Sequence, residues 1–196
     1  MSRPKYKTGE KDARGKIADA FWELISERPY TEISVLDIVR KAKLNKNTFY
    51  YHYNGIDEMS KDIVEQSLDP AAFKRMLSSV SSKSNGSEYV ADDQLNKSFE
   101  RFGLIAGDNS SPALKTLLKN AISEAWREMF GIDVSVASKR ERVSYEFALG
   151  GIMAVIALQH NDIGGFTLKE AMTSDLQEDV VRHLILIGER TQNHQA

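Results

Sequence analysis

The sequence lacks cysteine altogether, so disulfide bridges and thiolate metal sites are excluded. Histidine is scarce too, and its four residues, at positions 52, 160, 183 and 194, are too scattered to predict a metal cluster. We therefore expect neither a metal nor another cofactor.

Long apolar runs are also missing. The longest, Phe147 to Leu158, is too short to span a bilayer. The basic and polar start, MSRPKYKTGEKDARGK, has no apolar run behind it, so we expect no secretory signal. With 41% hydrophobic residues the chain can still bury a core. These features together predict a folded cytoplasmic protein without a membrane partner.

Sequence signatures of catalysis are absent as well. The chain contains no Gly-rich phosphate loop, no nucleophile elbow and no His-Glu metal pair. Asp92 and Asp93 occupy neighbouring positions, which separates two carboxylates on a helix instead of pairing them. We predict a protein that is not an enzyme and has no catalytic residues; a small α-helical enzyme is the alternative from a different class.

The charge of the chain is distributed unevenly, although its formal net value is only −2. Lysine and arginine outnumber the acidic residues in positions 1–53, whereas the acids outnumber them in the remainder. A basic head on an acidic body indicates a head that meets a polyanion. Ordinary surface scatter of charge is the competing interpretation.

Two helices are predicted at the start of the head. The first runs from Asp12 to Glu27, where apolar residues recur at helical spacing, and Pro29 ends the pattern. The second begins with a capping box between Ser34 and Asp37. Its apolar stripe ends near Ala42.

A third short helix follows almost at once, in the stretch KAKLNKNTFYYHY. Asn45 is a good N-cap for it. On a helical wheel Phe49 and Tyr53 share one face, while Tyr50 and Tyr51 point away from that face. Two short helices joined by a tight turn, the second with an outward polar and aromatic face, predict a helix-turn-helix.

That outward face has the chemistry of DNA recognition. Asparagine pairs with adenine, lysine with guanine or phosphate, and a threonine methyl can touch thymine. Tyrosine hydroxyls can reach phosphates. The competing interpretation is a solvated helix pair within an ordinary α-helical domain.

The segment from about Ala13 to Met59 resembles the DNA-binding domain of the tetracycline-repressor (TetR) family of bacterial transcription regulators. The match is densest and free of gaps over the run SVLDIVRKAKLNKNTFYYHYNGIDEM, which begins at Ser34. Carried over by position, the resemblance implies DNA contacts from Ser34, Asn45, Lys46, Asn47, Thr48, Tyr50, Tyr51 and His52. We add Lys43 as a further candidate, although the family pattern does not have lysine there.

Two positions depart from the family pattern. Lys43 stands where the family has glycine in the turn, and a positive φ there would cost lysine on the order of 1 kcal/mol. Ile56 stands where a lysine usually opens the fourth helix and contacts a phosphate. Both departures bear on how strongly the domain binds DNA.

The body also reads as α-helical, which predicts an all-α fold. After a fourth helix from Asp57 towards Leu68, a short helical piece over 71–80 and a flexible connection over 78–88 are expected. Four later helices are predicted. One begins at Ser111 and Pro112 and is stopped by Gly131, and the other three cover 89–106, 139–159 and 174–189. We predict a DNA-binding domain over 8–68 and a regulatory and dimerisation domain over 69–196.

The resemblance implies further sites in that body. Family members hold a small effector among the body helices, and the candidate pocket residues are Phe99, Phe102, Trp126, Phe130 and Tyr145. They dimerise through their last two long helices, for which the candidates are Phe147, Gly151, Val155, Val180, Leu184 and Ile187. Simple core packing within one chain is the alternative for both sets.

We therefore predict a DNA-binding transcription regulator, a homodimeric repressor of a palindromic double-stranded operator that responds to a small effector. The alternatives are a transcriptional activator of the same family and an α-helical interaction module without specific DNA binding.

Overall fold

The structure is a computed structural model that describes residues 12–68, 93–160 and 175–193. Within these ranges it consists of α-helices and one short 3-10 turn, and it contains no strand. The predicted all-α fold is confirmed. The chain forms two compact units, one ending at Ile63 and the other beginning at Val64.

The amino-terminal unit begins with a well-capped helix. Asp12 is its N-cap, because the Asp12 carboxylate accepts a hydrogen bond of 2.8 Å from the amide of Gly15. Its inner face is fully buried at Ile17, Phe21 and Ile25. The elements of this part of the chain are α1 (Ala13–Glu27), a 3-10 turn (Tyr30–Glu32), α2 (Val35–Lys41), α3 (Lys46–His52) and α4 (Ile56–Ser67).

The first three helices pack pairwise on one another. The buried stripe of α2 includes Ile38 and Val39, and α3 contributes Phe49. Helices of seven residues are too short to be stable alone in water, so α2 and α3 depend on this shared core.

The described residues of the carboxy-terminal unit form four long helices, α5 (Asp93–Ala106), α6 (Pro112–Phe130), α7 (Lys139–His160) and α8 (Asp175–Asn193). Helix α5 packs most extensively along α7, and α6 contacts α5, α7 and α8. The predicted limits of α6 are confirmed: Ser111 is the N-cap, Pro112 lies in the first turn, and Gly131 ends the helix in the left-handed conformation at φ 68°.

Other limits differ from the predictions. Helix α8 runs to Asn193, past the predicted end at Glu189, because the buried Thr191 connects it to the loop after α6. The Thr191 hydroxyl donates to the carbonyl of Gly188 at 3.0 Å and accepts from the amide of Asp133 at 3.3 Å.

The unit boundary lies inside α4, five residues before the predicted one, and the proposed limits 8–68 and 69–196 stay a prediction. The predictions over 71–80 and 78–88, and the predicted first residues of α5 and α8, fall outside the described residues.

Gly188 lets α8 approach the end of α6 closely. A Cβ atom at this position would lie 1.8 Å from the carbonyl oxygen of Phe130, which is a backbone atom and cannot rotate away. The packing of α8 on α6 therefore requires glycine here.

We expect Gly188→Ala to lower the free energy of unfolding by about 2–3 kcal/mol, because the two helices must separate to admit the methyl group. Urea unfolding followed by circular dichroism measures the change. Glu189→Ala, on the next and exposed residue of α8, is the matched control and should stay within about 0.5 kcal/mol of the parent. Equal stability of the two variants would contradict the close approach.

Candidate nucleic-acid interface

Helix α2 starts with a complete capping box. The Ser34 hydroxyl and amide both donate to the Asp37 carboxylate, and the amide of Asp37 donates back to Ser34 Oγ at 3.3 Å. These bonds, with Arg28 3.2 Å away, lower the pKa of Asp37 to about 2. Both donors of Ser34 are thus committed to the helix start, and its predicted DNA contact would require the hydroxyl to turn away from Asp37.

The turn between α2 and α3 is closed by a Schellman motif. The amide of Lys43 donates to the carbonyl of Arg40 at 3.2 Å, and the amide of Leu44 donates to the carbonyl of Val39 at 2.9 Å. This pattern needs a left-handed residue, and Lys43 supplies it with φ 55°. For a residue with a Cβ atom that conformation costs about 1–2 kcal/mol.

Helix α3 starts with the predicted N-cap. Asn45 Oδ1 accepts from the Thr48 amide at 2.8 Å and from the Thr48 hydroxyl at 3.1 Å. The side-chain oxygen of Asn45 is therefore engaged in the cap, whereas its NH₂ group takes no part in these bonds. Thr48 keeps its methyl group for an outside contact.

The two faces of α3 differ as the sequence predicts. Phe49 is 0% exposed and Tyr53 is buried beside it, with ring centroids 5.9 Å apart. On the other face Tyr50 is 54% and Tyr51 is 84% exposed. The exposed face consists of Lys46, Asn47, Tyr50 and Tyr51.

His52 lies between those two faces and is half-buried. Its ring is 5.0 Å from the ring of Tyr51 and 6.4 Å from that of Tyr53. It supports the neighbouring rings, which agrees with a packing or phosphate-facing position more than with base reading.

Two phenols attach α4 to the rest of the amino-terminal unit. The Tyr53 hydroxyl donates to Asp62 at 2.9 Å, and the Tyr30 hydroxyl donates to Asp57 at 2.6 Å and lies 2.9 Å from Ser60 Oγ. Burial first, and then these carboxylates, raise the pKa of both phenols to about 12. The guanidinium of Arg14 lies 5.4 Å from the ring centroid of Tyr53 and covers its outer side.

The first turn of α4 is acidic where the family pattern has a lysine. Ile56 is half-buried, and Glu58 accepts from the amide of Asn54 at 2.9 Å and from its side chain at 2.6 Å. Asp57 is held by Tyr30. This turn therefore supplies no side-chain cation for a DNA phosphate.

The candidate pocket residues lie in the core of the carboxy-terminal unit. Phe99 and Phe102 are buried and their ring centroids are 5.8 Å apart. Trp126 and Tyr145 are buried edge to face at 5.4 Å. Phe130 is half-buried at the end of α6. The arrangement is two ring pairs that fill space in the unit, and the pocket assignment stays a prediction.

The candidate dimer residues divide into two groups. Phe147 is 84% exposed on α7, and Gly151 and Val155 are exposed on the same helix. Leu184 and Ile187 are instead buried within their own chain, and Val180 is half-buried.

Sequence reasoning missed other exposed apolar residues. Val143 is 70% exposed, and its spacing of four residues from Phe147 is the signal that would have found it. Among the side chains of α8 whose burial the structure describes, the exposed large apolar ones are Ile185 and Leu186, next to the buried positions that the helical pattern singled out.

In the parts of the chain that the structure describes, no three His, Cys, Asp or Glu side chains come together as metal ligands. Among the described helices, none is long and apolar enough to cross a membrane.

The amino-terminal unit is a helix-turn-helix DNA-binding domain of three helices followed by a fourth. Residues 17–63 match the family model of bacterial regulatory proteins of the tetR family. The chain therefore carries, over these residues, a DNA-binding domain of the TetR type. It is also similar to a solved structure, the dihydroxyacetone kinase operon activator DhaS, at 17% sequence identity and a TM-score of 0.47 over 91% of this chain and 97% of that one.

The two phenols of this unit predict its alkaline stability. Their pKa is raised from 10.0 to about 12, so the stability they contribute is complete below pH 10 and is lost as the pH rises through about 12. We expect Tyr30→Phe and Tyr53→Phe each to lose less stability than the parent over that interval, measured by urea unfolding at each pH. Tyr51→Phe, on an exposed ring, is the control and should follow the parent. Variant curves as steep as the parent's would refute the linkage.

Proposed function

We propose that this regulator is a homodimeric, effector-responsive repressor that binds a palindromic operator. The observation that carries the proposal is the exposed face of α3, formed by Lys46, Asn47, Tyr50 and Tyr51. Tyr50 touches the buried ring of Phe49 at a centroid distance of 5.5 Å, yet 54% of Tyr50 and 84% of Tyr51 stay exposed. A contact outside the chain is the reason we assign to this exposed aromatic surface.

Each side chain of this face has a distinct role in the proposal. The Asn47 amide can make two hydrogen bonds to adenine in the major groove, and Lys46 can donate to guanine O6 and N7. Tyr50 and Tyr51 donate to phosphates while their rings pack on sugars. Asn45, through its free NH₂ group, and Thr48, through its methyl group, are candidates for secondary contacts.

A second copy of the chain is the partner that we propose for α7. Its exposed apolar residues fall on one stripe, because Val143, Phe147 and Leu158 are separated by four and eleven residues. Two copies joined in this way would carry two recognition helices, which suits half-sites about 34–36 Å apart.

Two glycines within this stripe support the same partner. A Cβ atom on Gly150 or Gly151 would meet no atom within 4 Å, so packing inside the chain does not require glycine there. Each glycine nevertheless costs the helix about 1 kcal/mol relative to alanine. Close crossing by a helix of a second copy accounts for that cost.

The effector site in this proposal lies among the buried rings of α5, α6 and α7, where Phe99 and Phe102 form one ring pair and Trp126 and Tyr145 another. A small molecule would enter by separating these rings, which changes the packing of the helices that carry them. We propose that this change weakens the grip on DNA.

An operator selected from random DNA duplexes can be used to distinguish a repressor from an activator. Placed across a promoter in a purified transcription reaction, it should lower transcript yield when the protein is added. A rise in yield would identify an activator, and binding without sequence preference would favour the interaction module.

We expect the parent to select a palindromic site from a random pool of DNA duplexes. Asn47→Ala should relax the preference at one base pair of each half-site and cost about 1–3 kcal/mol on the parent site. Tyr50→Ala should weaken binding to all sequences alike. Sequencing of bound duplexes and titration on the selected site measure both effects.

Asn120→Ala is the matched control, since it removes the same side chain from an exposed position on α6. It should leave the selected site and the affinity unchanged. Failure of the parent to select any site, at low salt, would overturn the operator proposal.

We expect the parent to sediment as a dimer and Phe147→Asp to sediment as a monomer, because the variant buries a charge in the proposed interface. Gly151→Ala should weaken the dimer by blocking the crossing, although alanine favours the helix itself. Sedimentation velocity over a concentration series measures both.

Leu36→Asp is the control, because Leu36 is an exposed apolar residue on α2, in the amino-terminal unit, and is not part of the proposed stripe. It should sediment as the parent does. A monomeric parent, or a Phe147→Asp variant that stays dimeric, would refute this interface.

A further inference from the structure

Lys43 is the one residue other than glycine with positive φ in the described parts of the chain, and it lies in the turn of the helix-turn-helix. The turn imposes this conformation. The amide of Lys43 can reach the carbonyl of Arg40, and the amide of Leu44 that of Val39, only when Lys43 is left-handed. Glycine would satisfy the same bonds without the steric conflict of a Cβ atom.

The side chain of Lys43 makes no contact with the described residues that would stabilise the fold. Lys43 is exposed, and its ammonium group pairs with no carboxylate of the described residues. Two residues earlier, Lys41 behaves differently: it lies 3.0 Å from Glu23 and 2.7 Å from Glu27 and so connects α2 to α1. A need for polarity does not explain Lys43 either, because glycine or asparagine tolerates this conformation better and keeps the turn soluble.

The position of the turn supplies the missing reason. Lys43 comes two residues before Asn45, the N-cap of α3, and the N-terminal residues of a recognition helix are those that contact base edges in the groove. The preceding turn therefore lies beside the phosphates at the edge of that groove. A lysine on its flexible four-carbon stem reaches a phosphate from there as a point charge.

We infer that Lys43 binds a DNA phosphate and that the chain keeps it in the turn at the expense of its own stability. The inference rests on the DNA binding proposed above. A phosphate contact from Lys43 would compensate for the start of α4, where Ile56, Asp57 and Glu58 provide no cation for the DNA backbone.

Two substitutions separate the charge from the backbone strain. Lys43→Ala removes the ammonium group but keeps the Cβ atom, whereas Lys43→Gly removes both. Both variants should reduce the magnitude of the slope of log affinity against log salt on the selected duplex by about 0.9 for each bound copy of the chain, and so by about 1.8 for the proposed dimer. Only Lys43→Gly should melt higher than the parent, by roughly 2–4 °C for a chain of this size.

Lys119→Ala is the charge-matched control, since it removes one lysine from the carboxy-terminal unit, where Lys119 forms an ion pair with Glu146. Its salt slope should equal that of the parent. Unchanged slopes in both Lys43 variants would overturn the phosphate contact while the operator proposal stands. A Lys43→Gly variant that melts no higher than Lys43→Ala would overturn the stability cost, and a parent that binds no duplex would overturn both proposals.

Discussion

A helix of seven residues makes too few internal hydrogen bonds to persist in water, and the recognition helix α3 has that length. It exists because Phe49 and Tyr53 are buried beneath it and Asn45 caps its start. The exposed face on the other side follows from this anchoring, since fixing one face of a helix fixes the direction of the other. The hydroxyl of Tyr53 extends the same anchor to α4 through Asp62.

The polar residues of the helix-turn-helix divide into those that hold the backbone and those left for a partner. Ser34 and Asp37 close the start of α2, and Lys41 joins α2 to α1. Their hydrogen-bonding and charge are used within the chain, as is the side-chain oxygen of Asn45. The Asn47 side chain is not used in this way, and Lys43 costs stability because its conformation is left-handed. Residue type alone does not distinguish these groups, because lysine and asparagine occur in both.

Glycines of the carboxy-terminal unit divide in the same manner. Gly188 is explained within the chain, because the carbonyl of Phe130 occupies the space that a side chain would need. Gly150 and Gly151 have open space around them. Together with the exposed Phe147, they form the surface on which we propose that a second copy of the chain packs.

The sequence by itself determined the helix order, the capping box, the N-cap of α3 and the division of its rings, because these depend on spacing along one helix and on local hydrogen bonds. Only the tertiary structure decided that Lys43 is left-handed, that Ser34 has no donor to spare, and that Leu184 and Ile187 are buried within one chain while Ile185 and Leu186 are exposed. Exposure depends on what packs against a helix from elsewhere in the chain. An apolar pattern shows that a face will be covered, but not whether the cover comes from the same chain or from another.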